Sequence, residues 1–370
     1  MYTISYMDRQ TNLKRPFVLQ LSELEAATFE TLTIMKKLAS ANRELAELKG
    51  IVATIPNQGI LIDTLSIQEA KESSEIESIV TTHDELFQQT IFPDRQNQAA
   101  KEVKRYVEAL HVGYQLLRDT GLLTSNHIKR IQAVLEQNDA GFRTQSGTTL
   151  KSDSGKVVYT PPQDIQEIER LMQDLERFIN DSALSPLDPL IKMAIIHHQF
   201  ETIHPFYDGN GRTGRILNVL YLVQQNLLNI PVLYLSAYIN QNKQDYYRLL
   251  QSVREDANWE PWILYMLDAI EKTSHITIDK IRAIRDAMMS YKHHIRGSYN
   301  FYSQDLINHL FKYPYTKISF LEHDINISRI TATKYLKQLS ADEKNILQLT
   351  KKGRDIYFIN TSLYKILIEN

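Results

Sequence analysis

A polar stretch at residues 204–215 stands between two apolar helical segments and limits the possible folds of this chain more than any other feature. Upstream, Asp188 supplies a helix-capping carboxylate and Pro189 a proline at the first helical position, and residues 190–203 follow with few polar breaks. Downstream, residues 216–223 are apolar nearly all round, which is typical of a helix buried on every side. The sequence therefore predicts a tight polar loop that joins two core helices.

The composition of this loop favours the binding of an anion. Gly209, Gly211 and Gly214 let backbone N–H groups approach a ligand closely. The second helix is predicted to begin near Gly211 or Arg212, so its unpaired N–H groups and positive dipole end face the loop. Arg212 and Arg215 are one helical turn apart, and both guanidinium groups are predicted to bind phosphate oxygens from the same side.

An acid and an imidazole complete the predicted chemistry of the loop. Asp208 beside phosphates indicates a divalent cation, because Mg²⁺ is typically held by one or two carboxylates together with substrate phosphates. His204, at the end of the first helix, is suited to accept a proton near neutral pH. Each feature alone is more typical of an ordinary turn or a solvated helix face. Their joint occurrence between two core helices favours a functional site.

The same loop resembles the Fic motif His-x-Phe-x-[Asp/Glu]-Gly-Asn-Gly-Arg-x-x-Arg at every specified position. The matching residues are His204, Phe206, Asp208, Gly209, Asn210, Gly211, Arg212 and Arg215. Fic enzymes transfer AMP from ATP to Ser, Thr or Tyr hydroxyls of proteins. The resemblance implies that His204 is the base and Asp208 the Mg²⁺ ligand. It implies the nucleotide-binding residues Gly209, Asn210, Gly211, Arg212, Thr213, Gly214 and Arg215.

A glycine in the loop favours nucleotidyl transfer over phosphoryl transfer. The related Doc kinases usually carry a lysine where Gly211 stands. The resemblance also implies that Tyr246 and Tyr247 lie near the base or sugar of the nucleotide, although an aromatic pair on a helix is equally typical of core packing. His197 and His198 lack the partner spacing of a metal site and are predicted to be core or supporting histidines.

A second motif, at residues 73–78, resembles the Fic inhibitory motif [Ser/Thr]-x-x-x-Glu-[Gly/Asn]. Ser73 and Glu77 match the pattern. The resemblance implies that Glu77 pairs with Arg215 and obstructs the γ-phosphate of ATP, because a carboxylate competes with a phosphate oxygen for the same guanidinium. Ser78 departs from the pattern, and serine is less favourable than glycine in a left-handed conformation.

A predicted hairpin lies N-terminal to the loop, at residues 142–162. Two short β-prone runs flank an Asp-Ser-Gly turn in an otherwise helical sequence. The hairpin resembles the Fic flap, which holds a target segment by strand addition. An exposed strand edge offers unpaired backbone groups for such docking.

Residues 300–370 are predicted to form a winged helix-turn-helix. Helices at 304–311 and 317–323 precede a recognition-type helix at 328–339 and a hairpin with a basic tip at 347–358. This segment contains ten Lys or Arg against seven Asp or Glu residues, a small excess for a domain that binds DNA unaided. The sequence of this segment is compatible with DNA binding and with protein contact.

Composition limits the class of protein. The chain has 370 residues, enough for two or three domains, with 43% hydrophobic residues and a net charge of −2, so it provides no general basic field for nucleic acid. The absence of cysteine excludes disulfides and cysteine-ligated metals. The first residues do not resemble a signal peptide and no apolar run is long enough to span a membrane, so we expect a cytoplasmic protein without membrane contacts.

The predicted fold is mainly α: a Fic helical core with a β-hairpin flap, plus a small C-terminal α+β winged-helix domain. The predicted division is an N-terminal helical region at 1–110, a catalytic core at 111–270, a linker helix at 271–299 and the winged-helix domain at 300–370. Within the first region, residues 1–25 are predicted to form an extended arm and residues 23–48 and 60–73 helices. In the core, a helix at 125–136 is predicted to begin with Ser125 as its N-cap, and another helix to cover 238–253.

Two functions from different classes follow. The first is an Mg²⁺-dependent adenylyltransferase that uses ATP, docks its protein target on the flap and is held inactive by Glu77. The second is a DNA-binding transcriptional regulator in which the Fic core is a sensor or a dimerisation platform. The partners predicted for the chain are therefore ATP, a target protein, a second copy of the chain, and DNA at residues 300–370.

Overall fold

The computed structural model of the protein describes residues 21, 24–92, 97–151, 154–352 and 355–369. These residues form a mainly helical structure with small antiparallel sheets, as the sequence predicted. The predicted N-terminal arm lies almost entirely outside the described residues. So do residues 152–153 in the turn of the flap and residues 353–354 at the tip of the predicted wing.

Helices form the N-terminal third of the chain. They are α1 (Leu32–Val52), α2 (Gly59–Ile76), α3 (His83–Ile91), α4 (Gln98–Thr120) and α5 (Ser125–Glu136). The prediction that Ser125 is the N-cap of α5 was wrong. Thr124 is the last extended residue before the helix, and its hydroxyl accepts a hydrogen bond from the N–H of His127 at 3.2 Å. The N–H of Ser125 donates instead to Glu176 at 2.7 Å.

The centre of the molecule is a pair of buried helices. The elements that lead to it are the flap strands β1 (Leu150–Lys151) and β2 (Val157–Tyr159), then α6 (Ile165–Asn180), α7 (Pro189–Ile203) and α8 (Asn210–Gln224). The carboxylate of Asp188 caps α7 by accepting a hydrogen bond from the N–H of Leu190 at 2.8 Å. From Leu190 onward every residue of α7 is buried, and the helix packs against α8. The two strands of the flap pair antiparallel, as predicted.

Helices after the core pair surround it and extend to the C-terminal domain. They are α9 (Ser236–Gln241), α10 (Lys243–Asp256) and α11 (Trp259–Ser298). The helix predicted at 238–253 is therefore divided, with a break at Asn242. The predicted linker helix is the second half of α11, a 40-residue helix that packs along α1. Trp262 anchors its first half, because its indole N–H donates to the carbonyl of Ala194 at 2.9 Å.

The C-terminal domain contains three helices followed by a hairpin, in the order that the sequence predicted. Its elements are α12 (Gln304–Lys312), β3 (Tyr315–Thr316), α13 (Ile318–Asp324), α14 (Arg329–Ser340), β4 (Leu347–Lys352), β5 (Asp355–Asn360) and α15 (Thr361–Ile368). The strand order is β3-β5-β4, all antiparallel. The sequence did not predict β3 or α15. None of the helices built from the described residues combines the length and the hydropathy needed to span a bilayer.

Candidate active site

The polar loop between α7 and α8 is held by its own buried side chains. Helix α7 ends at His204, which adopts a left-handed conformation with φ 48°. The side chain of Asn210 accepts from the N–H of Phe206 at 2.9 Å and donates to its carbonyl at 2.8 Å. The ring of Phe206 is fully buried, and its centroid lies 5.3 Å from that of Phe142. These contacts fix the path of the backbone from the histidine to the start of α8.

Glycines bring acidic side chains close to the backbone at the start of α8. Gly209 is the N-cap of α8 with φ 77°, so the helix begins at Asn210, slightly earlier than predicted. A Cβ at Gly211 would collide with the carboxylate of Glu77, and one at Gly214 would lie 2.7 Å from Oε1 of Glu201. The unpaired N–H groups and positive dipole end of α8 attract anions to this position.

Arg215 binds the segment at residues 73–77, which resembles the Fic inhibitory motif. Its Nε donates to Oγ of Ser73, and its Nη2 donates to the carbonyl of Ser73 and to Oε1 of Glu77, each at 2.8 Å. Only 1% of the Arg215 side chain is exposed. Burial would raise the pKa of Glu77, but the charge and hydrogen bond of Arg215 outweigh it and the pKa lies below its ordinary value. The carboxylate is therefore ionised and bound to a buried guanidinium.

Arg212 binds a different pair of acids, which the sequence did not predict. Its Nη2 donates to Oε1 of Glu136 at 2.7 Å, and its Nη1 to Oε2 of Glu102 at 3.4 Å. The same Glu136 oxygen lies so close to Gly209 that a Cβ there would collide with it. The pKa of Glu136 is raised, mainly by burial and against the effect of Arg212. Both arginines of the loop are thus paired with carboxylates.

His204 is suited to act as a base. Burial and the positive charges of Arg254 and Arg143 lower its pKa to about 4, against the opposing effects of Glu77 and of a hydrogen bond with the backbone of Glu201. The imidazole is consequently neutral at pH 7 and can accept a proton.

Asp208 lies at the mouth of the loop with its side chain partly in solvent. One of its oxygens, Oδ1, accepts from the N–H of Gly209 at 2.7 Å. Among the described residues, no three His, Cys, Asp or Glu side chains come together as a complete metal site. A single carboxylate beside an anion site is the donor set that Mg²⁺ uses when substrate phosphates supply its remaining ligands.

The two tyrosines of α10 differ in their surroundings. Tyr246 is 2% exposed, and its hydroxyl is hydrogen-bonded to Nε2 of His197 at 2.9 Å. Its ring packs near Trp262 with a centroid distance of 5.8 Å, so it belongs to the aromatic core. Tyr247 is 46% exposed, and its ring centroid lies 5.1 Å from that of Tyr246. His197 and His198 are buried and bonded to Tyr246 and to the backbone of Leu250, as core histidines are.

Several residues around His204 were not found by sequence reasoning. The guanidinium of Arg254 donates to the carbonyl of Glu201 at 3.1 Å and to Oγ1 of Thr202 at 3.2 Å. Burial raises the pKa of the Glu201 carboxyl to about 7. Arg143 is 1% exposed and donates to the carbonyl of His204 at 2.8 Å. No spacing in the sequence connects these residues, because their partners lie on other elements.

This arrangement defines a class of protein: a helical core in which a glycine-rich loop joins two buried helices beneath a hairpin. Three family profiles match the chain. "Fic/DOC family N-terminal" matches residues 35–115, "Fic/DOC family" matches residues 122–222, and "Protein adenylyltransferase SoFic-like, C-terminal domain" matches residues 288–363. The chain belongs to the Fic family.

Relatives by sequence include the "Protein adenylyltransferase Fic" of Drosophila erecta and that of Drosophila melanogaster. Each is 34% identical over 107 residues, which is 29% of this chain. The match spans 20% of each relative, so the two resemble this chain over about a fifth of their length.

Relatives by fold are solved Fic structures. A Fic family protein from Desulfovibrio desulfuricans G20 has a TM-score of 0.54 at 19% identity, covering 90% of this chain and 96% of that one. Residues 134–508 of Fic-1 from C. elegans have a TM-score of 0.53 at 19% identity, covering 68% and 73%. At this identity the likeness establishes the fold.

Proposed function

We propose that this chain is a protein adenylyltransferase that transfers AMP from ATP to a Ser, Thr or Tyr hydroxyl of a target protein. The observation that carries the proposal is the loop between α7 and α8, where a neutral His204 adjoins an anion site formed by the start of α8 and two arginines. The family membership of the chain supports the same activity.

The proposed mechanism is an in-line displacement at the α-phosphorus of ATP. The target hydroxyl oxygen forms the new O–P bond while its proton passes to the imidazole of His204, and the bond from the α-phosphorus to the bridging oxygen breaks. Pyrophosphate leaves with that oxygen. A positioned base typically contributes about 10²–10⁴-fold to the rate. The N–H groups at the start of α8 and the guanidinium of Arg215 stabilise the charge that develops on the phosphates.

Mg²⁺ fits this site through Asp208. The exposed carboxylate lies next to the anion site and retains an oxygen besides the one bonded to Gly209. When bound, Mg²⁺ neutralises phosphate charge and supports the departure of pyrophosphate. Asp208→Ala is expected to abolish the Mg²⁺ dependence of nucleotide binding.

Autoinhibition by Glu77 is the second part of the proposal. The carboxylate of Glu77 and the backbone of Ser73 use the same guanidinium that would hold an outer phosphate of ATP. Because the pair is charge-assisted and Arg215 is buried, a phosphate must displace the carboxylate before it can bind there. Basal activity is therefore low, and self-modification is the form of activity that is easiest to detect.

Labelled ATP tests both parts. The wild type, Glu77→Gly and the double variant Glu77→Gly/His204→Ala are incubated with Mg²⁺ and ATP labelled at the α-phosphate. We expect weak labelling of the wild type, strong labelling of Glu77→Gly and none of the double variant. Mass spectrometry of a lysate treated with Glu77→Gly then identifies the target. Absence of transfer by both wild type and Glu77→Gly would contradict the proposal.

A DNA-binding function is favoured by one observation in the C-terminal domain. The recognition-type helix α14 exposes Arg329, Lys334 and Lys337, together with Ile330 at 83% exposure. Such a face suits insertion into the major groove beside phosphates. Retarded migration of duplex DNA that weakens with added salt and disappears in Arg329→Ala/Lys334→Ala would support it. Unchanged migration of the DNA with wild type would exclude it.

A further inference from the structure

Both ends of the flap meet at a single buried guanidinium. The backbone N–H of Arg143 donates to the carbonyl of Pro205 at 2.9 Å, and its Nε donates to the carbonyl of His204 at 2.8 Å. Its Nη2 donates to the carbonyl of Pro162, where the flap ends. None of the ion pairs among the described residues includes Arg143. One side chain thus connects the beginning of the flap, its end and the loop that carries the base.

The same contact supports an unfavourable backbone conformation. His204 has φ 48° and ψ 60°, a left-handed geometry that costs a non-glycine residue about 1–2 kcal/mol. Such a residue persists only where its surroundings determine its conformation. Here the N–H of His204 donates to Phe200 at 2.9 Å, and its carbonyl accepts from Arg143. Arg143 therefore helps to fix the peptide that sets the direction of the imidazole.

A second contact joins the flap to the loop three residues later. The hydroxyl oxygen of Tyr207 accepts hydrogen bonds from the backbone N–H groups of Thr144 at 2.9 Å and Gln145 at 3.0 Å. Nearly half of the Tyr207 side chain is exposed, at 48%, so its packing contributes little. The contact fixes the first residues of the flap after Arg143. We call Arg143 and Tyr207 the flap clamp.

We propose that the flap clamp positions the target relative to the base, so that Arg143 and Tyr207 are positioning residues for AMP transfer. The inference rests on the proposed function. A segment that pairs with the flap takes its position from the flap, and the clamp fixes the flap to the peptide of His204. A displacement of about 1 Å at a reacting centre costs up to about 10²-fold in rate. The hydrogen bonds of the clamp go to the flap and to the backbone of His204 and Pro205, not to Arg212 or Arg215, so we expect ATP binding to change less than the transfer step.

The test uses the full chain carrying Glu77→Gly, with Tyr207→Phe or Arg143→Lys added. Lysine keeps the charge of Arg143 but lacks the fork that reaches several carbonyls. We expect kcat for self-AMPylation to fall about tenfold or more in Arg143→Lys and several-fold in Tyr207→Phe. The KM for ATP and its Kd measured by calorimetry stay within about twofold. Backbone amide exchange at residues 144–147 becomes faster in both variants.

A matched control is Arg170→Lys, since Arg170 is an exposed arginine on α6 that pairs with Glu167. It is expected to change none of these quantities. If Arg143→Lys fails to fold, Tyr207→Phe carries the test, because it removes one hydroxyl from a half-exposed side chain. Parallel losses in kcat and ATP affinity would overturn the proposal, since they indicate a general disturbance of the loop.

The experiments distinguish an error in the inference about the flap clamp from an error in the proposed function. If Glu77→Gly transfers no AMP, the proposed function fails, whatever the clamp does. Amide exchange still tests the clamp in that case. Unchanged protection of residues 144–147 in Tyr207→Phe would show that the hydroxyl does not hold the flap, and the inference would be wrong.

Discussion

At the scale of single residues, both arginines of the loop are paired with acidic side chains. Arg215 is bound by Glu77 and Arg212 by Glu136, and each carboxylate lies beside a glycine of the loop. Carboxylates in these positions occupy the space and the donors that phosphate oxygens require. Under the proposed function, ATP must compete with Glu77 for Arg215 and with Glu136 and Glu102 for Arg212, and the motif at residues 73–78 reveals only Glu77 among these acids.

Glu136→Gln tests the second acid. Glutamine keeps the shape of the side chain but removes its charge, so we expect ATP to bind more tightly by roughly tenfold or less, which corresponds to at most about 1.4 kcal/mol. The effect should add to that of Glu77→Gly, because the two acids bind different arginines. Calorimetric titration with ATP and Mg²⁺ measures both.

Glu108→Gln is the matched control for this variant, since Glu108 forms an exposed pair with Lys104 away from the loop. Weaker ATP binding in Glu136→Gln would contradict the prediction. In that case Glu136 would serve to hold Arg212 in the orientation that phosphate requires.

Sequence reasoning found the functional residues of the loop, which are contiguous in the chain. It missed the residues that contact the loop from distant parts of the chain. The loop could be interpreted because its imidazole, acid, glycines and arginines occupy twelve positions. Glu136 lies 76 residues from Arg212, and Arg143 lies 61 residues from His204. A lone glutamate at the end of a helix or an arginine after a phenylalanine has no pattern that indicates such a contact. Only the packing of α5 and the flap against the loop brings them together.

At the scale of elements, Glu77, for which we propose an inhibitory role, lies at the end of α2, in a turn that closes the helix. The N–H of Ile79 donates to the carbonyl of Ser74 at 3.0 Å, and the N–H of Ser78 donates to that of Glu75 at 2.9 Å. Ser78 is left-handed, with φ 65°. This is the Schellman arrangement, in which glycine is the usual residue at the left-handed position. The turn determines where the carboxylate of Glu77 lies relative to Arg215.

Ser78→Gly is expected to stabilise this turn. Removing Cβ relieves the cost of the left-handed conformation, and the added freedom of the unfolded chain offsets part of the gain. The free energy of unfolding should rise by about 1 kcal/mol or less, and basal AMP transfer should fall because Glu77 is held more firmly. Urea unfolding and labelled ATP measure the two effects. Ser78→Ala should behave as the wild type, and a less stable Ser78→Gly would disprove the argument.

Elements in which the hydrophobic pattern extends over many residues were predicted from the sequence, whereas short elements were not. The buried helices α7 and α8 were evident from their apolar residues, and the flap from two β-prone runs around a turn. Strand β3 has two residues, Tyr315 and Thr316, so it is too short to display an alternating pattern. The bounds of α5 were predicted, but its N-cap was assigned to Ser125 instead of Thr124, because both are good caps and only the backbone geometry selects between them.

At the scale of the whole molecule, the C-terminal domain packs on the helices that carry the inhibitory motif. Tyr315 donates its hydroxyl hydrogen to Asp84 of α3, and its ring centroid lies 5.4 Å from that of Phe87. Lys317 donates to the carbonyl of Ile91 at 3.0 Å. Helix α12 packs against α2 itself. Helix α2, which ends just before Glu77, thus contacts both α8 and α12, which the order of motifs in the sequence did not indicate.

Tyr315 tests whether this contact holds the inhibitory segment in place. Tyr315→Phe removes one hydrogen bond and should lower the free energy of unfolding by about 1–2 kcal/mol. Tyr315→Ala also removes a ring that is 3% exposed and should cost about 3–5 kcal/mol. Basal AMP transfer is expected to rise in Tyr315→Ala, because α2 and α3 lose part of their support. A loss of stability without any increase in transfer would show that the core alone positions Glu77.

Buried titratable groups give the folded molecule a predictable dependence on pH. Burial lowers the pKa of His197 to about 3 and those of His83 and His204 to about 4, and it lowers the pKa of His198 well below 6.5. The unfolded chain therefore binds protons at these positions below about pH 6.5, whereas the folded chain does not. Burial also raises the pKa of Glu69 to about 6 and that of Glu201 to about 7, so these groups bind protons earlier in the folded state.

The histidines outnumber the glutamates, so stability should decrease as the pH falls from about 6.5 to about 4.5. Near pH 5.5 the unfolded chain binds on the order of two more protons than the folded chain, which corresponds to about 3 kcal/mol per pH unit. Urea unfolding at about pH 7 and about pH 5 measures the slope. Glu201→Gln removes a group that favours the folded state as the pH falls, so the loss should become steeper. Stability that increases toward pH 5 in the wild type would contradict the burial of these histidines as neutral groups.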